Sequence, residues 1–102
     1  MQEITKENWD LEVLSEKKIV VVDFWATWCN PCKTMKQQLT ELEAEYSDQF
    51  KMVSVDIEKE PNLTTELQVR SVPTLIVIKD GDIRNRIVGV SSKEELLKKL
   101  FV

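Results

Sequence analysis

A continuous apolar run that gives way almost at once to a helical stripe constrains this chain more than any other feature. Ile19-Val20-Val21-Val22-Asp23-Phe24-Trp25-Ala26 is β-branched and aromatic, with no polar alternation. Such a run fits a strand buried on both faces, in a sheet with helices on each side. Farther on, apolar residues fall at Cys32, Met35, Leu39, Leu42 and Tyr46. Their spacing alternates three and four, which is one face of a long helix. Between strand and helix lies Trp28-Cys29-Asn30-Pro31-Cys32-Lys33, which holds both cysteines of the chain. Asp23 interrupts the strand where a charge does not belong.

The remaining segments read as layers around that corner. Residues 2–5 are a short strand candidate, and Thr5 can cap a first helix over 6–16 with Trp9, Val13 and Leu14 inward. Lys51–Ile57 reads as a second long strand. Pro61 opens a short helix carrying Leu63 and Leu67, and Val72–Ile78 is a third central strand. Asp80-Gly81 signals a hairpin turn, with Ile83–Val88 as an edge strand. Ser91 or Ser92, followed three residues on by Glu94 or Glu95, forms a capping box. It opens a last helix with Leu96, Leu97, Leu100 and Phe101 inward. The order β-α-β-α-β-α-β-β-α predicts an α/β fold: a three-layer α/β/α sandwich, with a central mixed five-stranded sheet and four helices. At 102 residues the chain is expected to be one domain, 1–102.

Two cysteines at that spacing, at a strand-to-helix junction, point to dithiol–disulfide exchange. Cys29 stands just before the helix, where free N–H groups and the dipole favour a thiolate. It is the expected nucleophile, and Cys32, one turn inside, the expected resolving thiol. The competing readings are half of a zinc site and a static disulfide. Zinc wants four ligands, and the chain has no third cysteine and no histidine. A static bridge across two residues closes too small a loop to stabilise much. Pro31 suits the first helical position and Asn30 the N-cap. A net charge of −4 argues against nucleic acid or an anionic membrane as partner. The stretch Met1–Glu7 has no apolar region of the signal-peptide kind. The expected compartment is therefore the cytoplasm, where close cysteines are more often catalytic than structural.

Phe24-Trp25-Ala26-Thr27-Trp28-Cys29-Asn30-Pro31-Cys32-Lys33 resembles the active-site signature of the thioredoxin family. Val22-Asp23-Phe24-Trp25, Val72-Pro73-Thr74-Leu75, Lys79-Asp80-Gly81 and Val88-Gly89 also stand where that family has counterparts, so the similarity covers almost the whole chain. It implies the thioredoxin fold and reduction of protein disulfides through a redox-active Cys29–Cys32 disulfide, with no bound cofactor. Its implied partners are disulfide-containing clients and a thioredoxin reductase, an NADPH-dependent flavoprotein; a monomer is expected. The resemblance also implies that Asp23 lies beneath Cys32 and moves its proton. The competing reading of Asp23, the weaker of the two, is a strand-end aspartate reaching water. Pro73 could be an ordinary strand-start proline. In the family it would follow a cis bond, with Val72 offering its backbone to an extended substrate. Trp28, Asn30, Pro31, Val72, Pro73 and Gly89 would then form the substrate face.

Several positions depart from the family pattern. Asn30 replaces a glycine, and as a cap it would accept from the N–H of Cys32 or Lys33, donors that otherwise hold the Cys29 thiolate. On that view Asn30→Gly lowers the Cys29 pKa. Gln37 replaces a proline, which suggests a straighter helix, and Ser71 replaces a glycine. Ser54 takes the place of a lysine that many thioredoxins set near the buried carboxylate, so Asp23 should be harder to ionise. Two rival functions remain open: a disulfide oxidase or isomerase of the same fold, and a non-catalytic binding subunit whose cysteines are incidental. The retained Pro31 and the lack of a leader favour reduction.

Overall fold

Every side chain from Ile19 to Phe24 is buried in the computed structural model, which describes residues 1–102. These residues belong to the central strand of a five-stranded sheet. The strands are β1 (Gln2–Glu3), β2 (Ile19–Trp25), β3 (Phe50–Asp56), β4 (Thr74–Lys79) and β5 (Asp82–Val88), in the spatial order β1-β3-β2-β4-β5. β1 and β2 run parallel to β3; β4 runs antiparallel to both β2 and β5. The mixed sheet expected from the segment order is present. No helix is long and apolar enough to cross a membrane.

The run carries no polar alternation because both of its faces are covered. Ile19 and Val21 pack with Met35, Leu39 and Leu42 of α1 (Asn30–Glu45) and with Leu96 and Leu100 of α3 (Lys93–Leu100). Val20, Val22 and Phe24 pack on the other side with Val13 and with Leu63 of α2 (Pro61–Glu66). Alternation along β2 therefore puts Asp23 on the α1 face. The stripe Cys32, Met35, Leu39, Leu42 is buried as its spacing requires. Each fully buried Leu or Met contributes on the order of 1.5–3 kcal/mol. α1 runs unbroken past Gln37.

Three expectations change. The first helix is not α-helical over 6–16: it is a turn, then a five-residue π-helix, Asp10–Leu14, closed by Ser15 N–H donating to the Asp10 carbonyl (3.0 Å). Thr5 does cap its approach, accepting from Asn8 N–H (3.4 Å) while Asn8 Oδ1 accepts from Thr5 N–H (2.8 Å). Val13 points inward, but Leu14 is 38% exposed. Second, β4 begins at Thr74, just after the cis Val72–Pro73 peptide. Third, Phe101 lies past the end of α3 and is 43% exposed, its ring 4.8 Å from that of Phe50. Of the expected capping box only the N-cap half is present: Ser92 Oγ accepts from Glu95 N–H (3.1 Å). Asp80 and Gly81 both have positive φ, as a tight hairpin needs.

Gly89 ends β5 at φ +85° and donates its N–H to the Pro73 carbonyl (2.9 Å). A Cβ there would meet nothing within 4 Å, so only the backbone conformation demands glycine. Gly89→Ala should therefore destabilise the protein by about 1–2 kcal/mol, read from the midpoint of urea denaturation.

Candidate active site

The strand-to-helix corner is shaped by one backbone donor and one sulfur. The residue before α1 is Cys29, extended at φ −95°, ψ 105°, and its Sγ accepts from Cys32 N–H (3.2 Å). Cys29 is thus itself the N-cap, which corrects the expectation for Asn30. Asn30 is the first residue of the helix, is exposed and makes no side-chain hydrogen bond. The donor it was expected to take goes to sulfur, and the argument for a lowered Cys29 pKa in Asn30→Gly loses its basis. Pro31 follows as the second helical residue, still inside the first turn, where a missing N–H costs nothing. Cys29 and Cys32 form a disulfide with their Cα atoms 5.3 Å apart.

The two cysteines are 4% and 3% exposed and pack with Ala26, Trp25, Ile57 and Val72. Val72 comes from a distant loop, so two separate segments meet at the disulfide. Val72 makes no backbone hydrogen bond, while its neighbour Pro73 is buried and tied to Gly89. Trp28 is 66% exposed immediately before Cys29. Val88 and Val90, exposed on either side of Gly89, add apolar surface that the sequence reading did not single out. Of the residues expected at the site, Cys29, Cys32 and Val72 touch directly, and Pro73 and Gly89 join them through the backbone. Asn30, Pro31 and Trp28 line the exposed rim.

Asp23 lies on the α1 face of β2, two residues before Trp25. It is 0% exposed, and neither carboxylate oxygen has a hydrogen-bond partner. Burial pushes its pKa up to about 7, against a smaller opposing pull from Lys36. In register beside it stand Ser54 on β3 and Leu75 on β4. The neighbouring strand therefore offers a hydroxyl where the resemblance placed a lysine. Lys36 was not foreseen. It follows Cys32 by four residues, so it shares that helical face, and this spacing was the available signal. Its Nζ sits 5.1 Å from the centroid of the Trp25 ring. Trp25, Cys29, Cys32, Lys33 and Lys36 line a cavity of about 120 Å³ beside the disulfide.

A close disulfide at a helix N-terminus, walled by a distant loop, and a buried, unpartnered carboxyl group on the strand face that the helix covers are the parts needed for thiol–disulfide exchange. The thioredoxin family model matches residues 1–101. The thioredoxin of Mycolicibacterium smegmatis is 42% identical over 99 residues, covering 95% of this chain and 88% of that protein. The thioredoxin of Staphylococcus haemolyticus is 39% identical over 97 residues, covering 95% and 91%. The bifunctional thioredoxin reductase/thioredoxin of Mycobacterium leprae is 41% identical over 98 residues, covering 96% of this chain and 21% of that protein. The chain belongs to the thioredoxin family. It is a thiol–disulfide oxidoreductase that reduces protein disulfides.

The buried acid makes stability depend on pH. Folded Asp23 takes up its proton near pH 7, against 3.8 ordinarily. Its contribution to stability is complete below about pH 4 and is lost as pH rises to 7. Asp23→Asn should match the parent within about 1 kcal/mol at pH 4 and exceed it by up to about 4 kcal/mol at pH 8, at 1.36 kcal/mol per pH unit between the two midpoints. Urea denaturation at both pH values measures this.

Proposed function

We propose that Cys29 is the attacking thiol of the reduced protein and Cys32 the resolving one. The observation that carries this assignment is the Cys32 N–H donating to Cys29 Sγ (3.2 Å). A sulfur at the N-cap meets the free donors and positive end of α1, which favour its thiolate. Cys32 lies one turn inside, on the buried face of α1 that packs over β2, the strand carrying Asp23.

In the first step the Cys29 thiolate attacks a client disulfide. One client thiolate leaves, and a mixed disulfide joins Cys29 to the other client sulfur. The Cys32 thiol then passes its proton to the Asp23 carboxylate and attacks the Cys29 sulfur. The Cys29–Cys32 disulfide forms, and the second client thiolate leaves. Two electrons pass to the client, and its two thiolates take up protons from solvent and from Asp23. A carboxyl group titrating near pH 7 is matched to that transfer, since a base works best near the ambient pH. Asp23 is therefore the proton acceptor in this scheme, and the chain has no histidine to compete with it.

The client binds as an extended segment against Val72-Pro73, with Trp28, Asn30, Pro31 and Gly89 around it. The unpaired N–H and carbonyl of Val72 support strand-like pairing. Electrons return to the disulfide from a thioredoxin reductase, an NADPH-dependent flavoprotein, and the exchange runs in a monomer of the cytoplasm without a bound cofactor. The fused reductase/thioredoxin of Mycobacterium leprae is in keeping with a reductase as partner.

Insulin reduction by dithiothreitol tests the assignment. Cys29→Ser should lose the catalysed rate. Cys32→Ser should accumulate a mixed disulfide on Cys29, detected by intact mass. Trapping on Cys32 in the Cys29→Ser variant instead would reverse the two roles. Asp23→Asn should slow resolution at pH 7 by about 10²-fold, and resolution at the parent's rate would remove Asp23 from the reaction.

A further inference from the structure

The acid under the site has no partner in the sheet. Beside Asp23 stand Ser54 of β3 and Leu75 of β4. The other carboxylate on that face of the sheet, Asp56, lies in register with Trp25, and its Oδ1 accepts from Glu58 N–H (2.9 Å). α1 brings Cys32, Met35 and Lys36 over this part of the sheet, and α3 brings Leu96, an apolar group. Among these, Lys36 carries the only positive charge. Its stem reaches along Trp25, with the ammonium over the ring and still in water. Together with Trp25, Cys29 and Cys32 it walls the cavity of about 120 Å³ beside the disulfide.

We propose that Lys36 is a positioning residue for the exchange reaction: held over Trp25 at the wall of the cavity beside Cys32, it is the counter-charge that lets the buried Asp23 ionise. The proposal rests on the reading that Asp23 accepts the Cys32 proton. A carboxylate that leaves water without a hydrogen bond stays protonated unless a charge opposes the desolvation. An ammonium that remains solvated offsets only part of that cost. Such partial compensation keeps Asp23 between two useless limits: always ionised and a weak base, or always neutral and no base. The indole fixes where the cation sits, so an exposed, flexible side chain acts from a defined place. Lys33 lines the same cavity but is not seated over an aromatic ring.

The test uses the reduced protein, residues 1–102. The Asp23 carboxyl carbon is titrated by ¹³C NMR in the parent, Lys36→Met, Lys36→Arg and Lys33→Met. Lys36→Met should raise the Asp23 midpoint, Lys36→Arg should restore it, and Lys33→Met should leave it in place. Stopped-flow resolution of a mixed disulfide on Cys29 should slow about three- to fivefold at pH 6.5 in Lys36→Met. It should meet the parent's rate above pH 9, because the profile moves along the pH axis. A slowing of equal size at every pH would mark a merely structural role and overturn the proposal. So would an unshifted Asp23 midpoint in Lys36→Met, or a midpoint that arginine fails to restore. If Asp23→Asn resolves as fast as the parent, the proton-transfer reading falls by itself; the carboxyl titration still decides whether Lys36 sets the charge on Asp23.

Discussion

The seat of α1 on β2 is the contact on which the site depends. Val21 of the strand meets Met35 and Leu39 of the helix, and this packing fixes how far the helix N-terminus stands above the sheet. Cys29 and Cys32 are carried at that end, and Asp23 comes one position after Val22 on the strand below. The same apolar packing that stabilises the domain therefore holds the disulfide at the N-terminus of α1 and the carboxyl group on the strand face that α1 covers. A shift of one residue in β2 would turn Asp23 to the opposite face, among Val20, Val22 and Phe24.

Burial then brings a carboxyl group into the range where a histidine would ordinarily titrate. Water is excluded from Asp23 by the same layer of side chains that holds α1 in place, and desolvation raises the carboxyl group toward neutral pH. A buried acid without a hydrogen bond is costly to a small protein. Such costs cluster where function needs a group in an unusual protonation state. The corner also uses its own backbone economically, since one N–H near the start of α1 reaches the sulfur of Cys29 and no side chain competes for it.

Much of this was legible in the chain itself. The unalternating run at Ile19–Phe24 foretold a strand covered on both faces, and the 32-35-39-42 stripe foretold the helix that covers one of them. Asp80-Gly81 foretold the hairpin, and the pair Ser91 and Ser92 a last cap, which the structure gives to Ser92. Other features were not legible, because the local signals are degenerate. Trp9 and Val13 turn inward in an α- or a π-helix, so periodicity does not separate the two. Asn30 and Cys29 can each serve as a cap, and only the backbone path from Trp28 selected the sulfur. Val72 and Gly89 lie far from the cysteines in sequence, and local pattern carries no information on whether they meet.

The sequence by itself determined the order of elements, the pairing of two thiols at a strand-to-helix junction and the presence of a charge inside a buried strand. These follow from spacing and residue type, which are properties of neighbours along the chain. Only the tertiary structure decided which face Asp23 occupies, that Ser54 and Leu75 leave it without a partner, and that Lys36 stands over Trp25. Those are relations between segments, set by how β2, β3, β4 and α1 pack, and the charge state of a buried group depends on everything packed around it.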